Sequence, residues 1–85
     1  MNIQLRFFAS IREALGVSQE TLALPPGVAT VGELRASLRE RGAEWATTLA
    51  PGRSLRMACN QLMADEATPL TEGCEVAFFP PVTGG

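Results

Sequence analysis

Few residue types in this 85-residue chain could do chemistry, and the missing types narrow the field further. There is no His, Lys or Tyr, and all seven positive charges are Arg. Imidazole acid–base catalysis, a His-ligated metal, a Schiff-base lysine and a phosphate-loop lysine are therefore excluded. Nine acids against the seven arginines leave a net charge of −2, without the basic footprint that nucleic-acid binding requires. Cys59 and Cys74 are too few for a disulfide framework or a metal cage. Cys59 alternates with core positions and reads as a small buried hydrophobe. Cys74 stands beside the turn glycine Gly73 and is open to exposure, but nothing near it in sequence lowers its pKa, so an ordinary thiol is the favoured reading over a sulfur relay. Arg35 and Arg39 fall on one helix face, which a solvated surface accounts for.

The remaining candidate is the end of the chain, Pro80-Pro81-Val82-Thr83-Gly84-Gly85. Two prolines hold the departing backbone extended, and nothing bulky follows Val82, so residues 81–85 are expected to form a thin, flexible stalk on a body of residues 1–80. A terminal α-carboxylate is ionised at neutral pH. Its oxygen can attack the α-phosphate of ATP, giving an acyl-adenylate that a sulfur nucleophile can displace. Glycine leaves that carbonyl sterically open and lets an enzyme channel close around the backbone. The competing reading is a frayed tail with no role.

The body that would carry such a stalk is legible in the periodicities. Ile3, Leu5 and Phe7 alternate with Gln4, Arg6 and Phe8, a strand with one buried face. Ala9 to Leu15 reads as a short helix ended by Gly16, and Glu20 to Leu24 as a second strand with Leu22 and Leu24 facing in. Thr30 with Glu33 three residues on is a capping box, and Val31, Leu34 and Leu38 supply the inner stripe of the helix it opens. Arg39 and Arg41 suit its last turn and Gly42 its end. Trp45 and Leu49 predict one more helical turn. Leu55, Met57 and Cys59 form a third strand, Asn60-Gln61 turns the chain into a short strand at Leu62 and Met63, and Glu75 to Phe79 is the last strand before the prolines.

Strands, one capped main helix with short extra helices, then more strands make an α+β domain with a single mixed sheet. With the last strand central and beside the first, this is the β-grasp, or ubiquitin-like, arrangement. The core is expected to hold Leu5, Phe7, Leu34, Leu38, Met57, Val76 and Phe78. No run approaches the roughly 18 apolar residues of a membrane span, and Met1 to Ser10 lacks the long apolar stretch of a secretion signal. A reducing cytoplasm is the expected compartment.

The blocks Leu5-Arg6-Phe7-Phe8-Ala9 with Arg12-Glu13 and Gly16, and Leu70 through Gly85, are the most specific in the chain. In them, and in Trp45 and Asn60-Gln61, the sequence resembles the small, sulfur-carrier subunits of molybdopterin synthase over nearly its whole length. One departure is Cys74, where that family usually carries Asp at a turn. The resemblance implies that the Gly85 carboxylate, with Gly84 before it, is adenylated by an ATP-using activating enzyme and converted to a thiocarboxylate by a sulfur-donating protein. Two such transfers would build the dithiolene of molybdopterin on cyclic pyranopterin monophosphate. The large synthase subunit would supply the catalytic groups, in a heterotetramer, and this chain would be a stoichiometric donor with no permanent cofactor. Rival readings are the thiamine-pathway sulfur carrier, which is typically shorter and lacks the Phe-Phe-Pro-Pro-Val run, a covalent protein modifier, and a plain interaction module whose tail is irrelevant.

Alternation also predicts a docking face. If Phe7, Val76 and Phe78 point in, then Phe8, Ala77 and Phe79 point out, and Met63 extends the patch. Outward phenylalanines on a small chain mark a partner surface. On this reading Phe8, Met63 and Phe79 anchor the large subunit, Arg12 touches its rim, and Pro80, Pro81, Val82 and Thr83 lead the tail into its pocket.

Overall fold

Apolar residues two apart build the strands, and the helices cover the face those residues share. The structure, a computed structural model, describes residues 1–81. In chain order its elements are β1 (Asn2–Phe7), α1 (Ala9–Leu15), β2 (Gln19–Ala23), α2 (Val31–Arg39), α3 (Ala43–Thr48), β3 (Arg56–Cys59), β4 (Leu62–Ala64) and β5 (Glu75–Phe79). The strands form one sheet in the order β2-β1-β5-β3-β4. Its central pair, β1 and β5, is parallel, with Leu5 opposite Val76 and Phe7 opposite Phe78, and the other pairs are antiparallel. This is the expected β-grasp, with the last strand beside the first.

The core lies between the sheet and the helices. Ile3, Leu5, Phe7, Val76 and Phe78 from the strands meet Val31, Leu34 and Leu38 from α2, together with Leu49, all at 0–1% exposure. Met57 joins them, so all seven core residues expected from the sequence are buried. The Phe7 ring stacks on Phe78 at 5.8 Å and meets Trp45 edge-on at 5.6 Å, in the offset and T-shaped geometries aromatic pairs prefer. Leu22 and Leu24 pack half-buried at the margin of this core.

Local chemistry sets the ends of the elements. Thr30 accepts from the Glu33 N–H at 3.2 Å while the Glu33 carboxylate accepts from the N–H groups of Ala29 and Thr30, so the capping box forms as expected. Gly16 closes α1 at φ 73°, its N–H donating to the Arg12 carbonyl at 2.8 Å. Asn60 and Gln61 both adopt positive φ, 51° and 67°, which makes the two-residue turn between β3 and β4 of the primed type that matches strand twist.

Four expectations need correction. α2 ends at Arg39, so Arg41 lies outside its last turn and Gly42 instead begins α3. Arg41 pairs with Glu20 through two bonds of 2.6 and 2.8 Å, and its guanidinium lies 4.6 Å from the Trp45 ring centroid. Arg35 is not on a solvated face. It is 5% exposed, donating from Nε to the Leu49 carbonyl at 2.8 Å and from Nη2 to that of Ala50 at 2.5 Å, with Glu66 3.5 Å from Nη1. Cys74, left open to exposure by its neighbouring turn, is buried at 3% because it continues the inward series of Val76 and Phe78. Cys59 is only half-buried.

Candidate functional site

Three strand ends converge where β5 leaves the sheet. Phe8 follows Phe7 at the end of β1, and its N–H donates to the Phe78 carbonyl at 3.1 Å, which holds it level with Phe79. From the other side Arg56, the first residue of β3, is the register partner of Phe79. Phe8 is 41% exposed and Phe79 half-buried. Pro80 and Pro81, both half-buried, carry the chain off this edge.

Why Phe8 faces out is a matter of backbone. It is the N-cap of α1 in an extended conformation, and the next residue, Ala9, turns the chain at φ 52°, unusual for a residue with a side chain. The Phe8 carbonyl then accepts from the N–H groups of Ile11 and Arg12 at 3.2 and 3.3 Å, which fixes α1 directly beside the tail's exit.

Away from that edge the outward face runs through Ala77 and Ala58, which are register partners, to Met63 opposite Ala58. Met63 is 62% exposed, whereas Leu62, the register partner of Cys59, belongs to the opposite face. Small alanines in the middle leave the phenylalanines and the methionine as the projecting groups. Arg6 borders the patch on β1, bonded to Glu75 at 3.2 Å with its guanidinium 5.7 Å from the Phe8 ring centroid.

The structure therefore brings Phe8, Phe79, Pro80 and Pro81 together at one edge, with exposed Arg12 on the adjoining helix and Met63 further along the same face. Val82, Thr83, Gly84 and Gly85 lie outside the described residues. The sequence reading does not single out Arg56 or Ala58 for this face. Arg56 was within reach of the same alternation argument, since its neighbours Leu55 and Met57 are inward.

The thiols are elsewhere. Cys74 precedes β5 and Cys59 is opposite Val76, so both belong to the end of β5 opposite the exit, Cys74 lying about 20 Å along the strand from Pro80. Burial pushes the Cys59 thiol above its ordinary pKa, and Cys74 beside it adds to the rise. Neither thiol has the electropositive, exposed setting of a reactive cysteine. Among the described residues no cluster of His, Cys, Asp and Glu could hold a metal ion, and no helix is long and apolar enough to cross a membrane.

The described chain is a β-grasp domain whose central strand β5 ends at an exposed aromatic edge. The model of the ThiS family matches residues 5–85, and the chain belongs to that family. Within it the chain falls among the sulfur carriers of molybdopterin synthase. It is 42% identical over 83 residues to the molybdopterin synthase sulfur carrier subunit of Escherichia coli (strain K12), covering 98% of this chain and 99% of the relative. The same-named subunit of Haemophilus influenzae is 39% identical over equal coverage. A solved complex of subunits 1 and 2 of the molybdopterin-converting factor from Helicobacter pylori contains a chain of the same fold, with TM-score 0.69, 29% identity and full coverage of both chains.

Proposed function

We propose that this carrier, which serves molybdenum cofactor biosynthesis, transfers sulfur through the carboxylate of Gly85. A carboxylate oxygen attacks the α-phosphorus of ATP on an activating enzyme, pyrophosphate leaves, and a sulfur nucleophile then displaces AMP to give the thiocarboxylate. That sulfur passes to cyclic pyranopterin monophosphate in the large synthase subunit, and the carboxylate is regenerated for another round. The chain contributes the donor group and its delivery, not the catalytic groups.

The observation that carries this reading is the placement of the exit. β5 is a central strand, held on both sides, so its last residue is a rigid point from which a short tail can be aimed. The exit also lies at the margin of the outward Phe8–Phe79 patch, so a partner that covers the patch receives the tail at a fixed distance. The complex of subunits 1 and 2 from H. pylori supports a large subunit as that partner. Phe8, Met63 and Phe79 serve as its anchors, Arg12 as a rim contact, and residues 80–83 as the lead into its pocket. The free thiols suit a reducing cytoplasm.

The test is intact mass after incubation with ATP, the cognate activating enzyme and a sulfur donor. One oxygen-for-sulfur exchange, mapped to the last residue, is expected. Removal of Gly85 should abolish it without changing the melting temperature, because the last strand ends at Phe79. A truncated chain that still supports molybdopterin synthesis in a reconstituted assay overturns the proposal.

A further inference from the structure

The open face of the sheet divides into an apolar half and a polar half. Register places Met63, Ala58, Ala77 and Arg6 in one row across β4, β3, β5 and β1. Towards the exit the next row holds Phe79 and Phe8, and on the other side it holds Glu75 and Gln4. In the polar half the side chains satisfy one another. Thr21 donates to Gln4 at 2.9 Å and Arg6 to Glu75 at 3.2 Å. The centre of the apolar half is the two alanines, and Ala58 is only 8% exposed although it takes an outward position. A methyl group buried on an open face lies at the floor of a depression, below its longer neighbours. Met63 stands at one end of that floor and Phe79 on its exit side. From β4 to β1 the row spans three strand spacings, about 14 Å between backbones, which leaves room for one or two side chains.

We infer that Ala58 and Ala77 form a seat for an apolar side chain of the large synthase subunit and set the size of what can dock. The inference rests on the reading that this subunit covers the face. It assigns the two positions that lie between the anchors, with Phe8 and Phe79 on one side and Met63 on the other. The chemistry of the occupant follows from the floor. β5 and β3 are interior strands, so the backbone N–H and carbonyl groups beneath the seat are taken up in ladders on both sides. Alanine adds no hydrogen-bonding group of its own. A polar group lowered onto this floor would lose water without gaining a partner, whereas an aliphatic chain gains by burying its surface. The size limit follows from the walls. A longer side chain at 58 or 77 fills the depression and lifts the partner off Met63 and Phe79 together. The footprint ends at the Arg6–Glu75 pair, because Gln4 and Thr21 beyond it already spend their polar groups on each other.

The test titrates the full chain into the large subunit by calorimetry, with a thermal melt of every variant. Ala77→Ile and Ala58→Ile fill the seat and should weaken binding at least about tenfold. Their melting temperatures should hold or rise, since β-branched residues suit strands. Should A58I fail to fold, A77I, at a half-buried position, decides alone. Ala77→Ser nearly keeps the volume but adds a hydroxyl that an apolar occupant leaves unpaired, so affinity should fall at least about fivefold. Thr21→Ile adds bulk in the polar half and should bind like the parent. Phe79→Ala reports on docking by itself. If F79A weakens binding while the isoleucine variants bind like the parent, the seat is refuted and docking stands. If A77S binds like the parent, or T21I as poorly as A77I, the apolar occupant or the bounded footprint is wrong and the inference is overturned. A parent that does not bind at all sinks the docking reading and the seat with it. A parent that sediments alone as a dimer, dissociated by A77I, would give the seat to a second copy and overturn its assignment to the large subunit.

Discussion

On the helix side of the sheet, Leu5, Phe7, Val76 and Phe78 are sealed at 0–1% exposure under α2. One residue along each strand, on the other side, Arg6, Ala77 and Phe79 are only half-buried and Phe8 is 41% exposed. The two faces share strands, register and backbone hydrogen bonds, so the difference lies only in what covers them. A chain of this length has one main helix to spend, and it closes one face. On the function proposed above, a partner closes the other for part of the working cycle.

The comparison breaks most visibly on the covered side. Leu38→Ala removes a side chain 1% exposed at the helix–sheet contact and should cost about 2–5 kcal/mol in chemical denaturation, a large share of a small domain's stability. A loss below that range would mean that the helix face is packed more loosely than its burial indicates.

Gly32→Ala comes next. The loop after β4 crosses the start of α2 so closely that the Gly32 N–H bonds to the Glu66 carbonyl at 3.0 Å, and an added Cβ would stand 2.7 Å from the Glu66 Cβ and 2.9 Å from that carbonyl oxygen. The clash involves backbone, so the loop must move, at about 1–3 kcal/mol. Alanine's better helix propensity, worth up to about 1 kcal/mol, offsets only part of it. A thermal melt that rises instead would show that the loop yields freely.

Phe79→Ala probes the open side. Folding stability should change little, while association with the large subunit, followed by calorimetric titration, should weaken by about 1–2 kcal/mol, as for an interface anchor. Unchanged affinity with a falling melting temperature would make Phe79 a core residue and erase the distinction between the faces.

Both faces were legible in the sequence because a period of two assigns every second residue to one side, and the capping box located α2 for the same reason: both are local signals. The strand order is a long-range property, and it follows from the architecture rather than from any spacing. Arg35 was misread although a signal existed. Positions 31, 34, 35 and 38 make one helical stripe, so Arg35 occupies a core-facing position, and the residue type was allowed to outweigh the spacing. What the sequence does not reveal is its partners, the carbonyls of Leu49 and Ala50, fourteen and fifteen residues away. Cys74 was misread in the same way, by weighting its neighbouring turn over its place two before Val76. Alternation assigns Phe8, Ala77 and Phe79 to the open face, but the β3–β5 register that brings Ala58 and Arg56 against them is not encoded by any local pattern.

The smallest expected effect separates the two faces by their ion pairs. Glu20 is opposite Leu5 and so takes an inward position on the edge strand, where Arg41 closes over it with two short bonds and stacks on Trp45. Arg6 and Glu75, on the open side, share one bond of 3.2 Å with the Arg6 side chain 42% exposed. Glu20→Gln should therefore cost about 0.5–1 kcal/mol at neutral pH, and Glu75→Gln less, because an exposed single contact is screened by water. The Arg41 hydrogen bond holds the Glu20 carboxyl below its ordinary value of 4.5, an effect that desolvation only partly opposes. Folded protein thus binds that proton less readily than the unfolded chain. The pair's contribution is fully present above pH 4.5 and is lost as pH falls through the lower folded value. Melting curves of the parent and E20Q should converge over that acid range. If the gap between them persists unchanged there, Glu20 stabilises the rim by packing rather than by charge, and its side of the sheet is closed by contact alone.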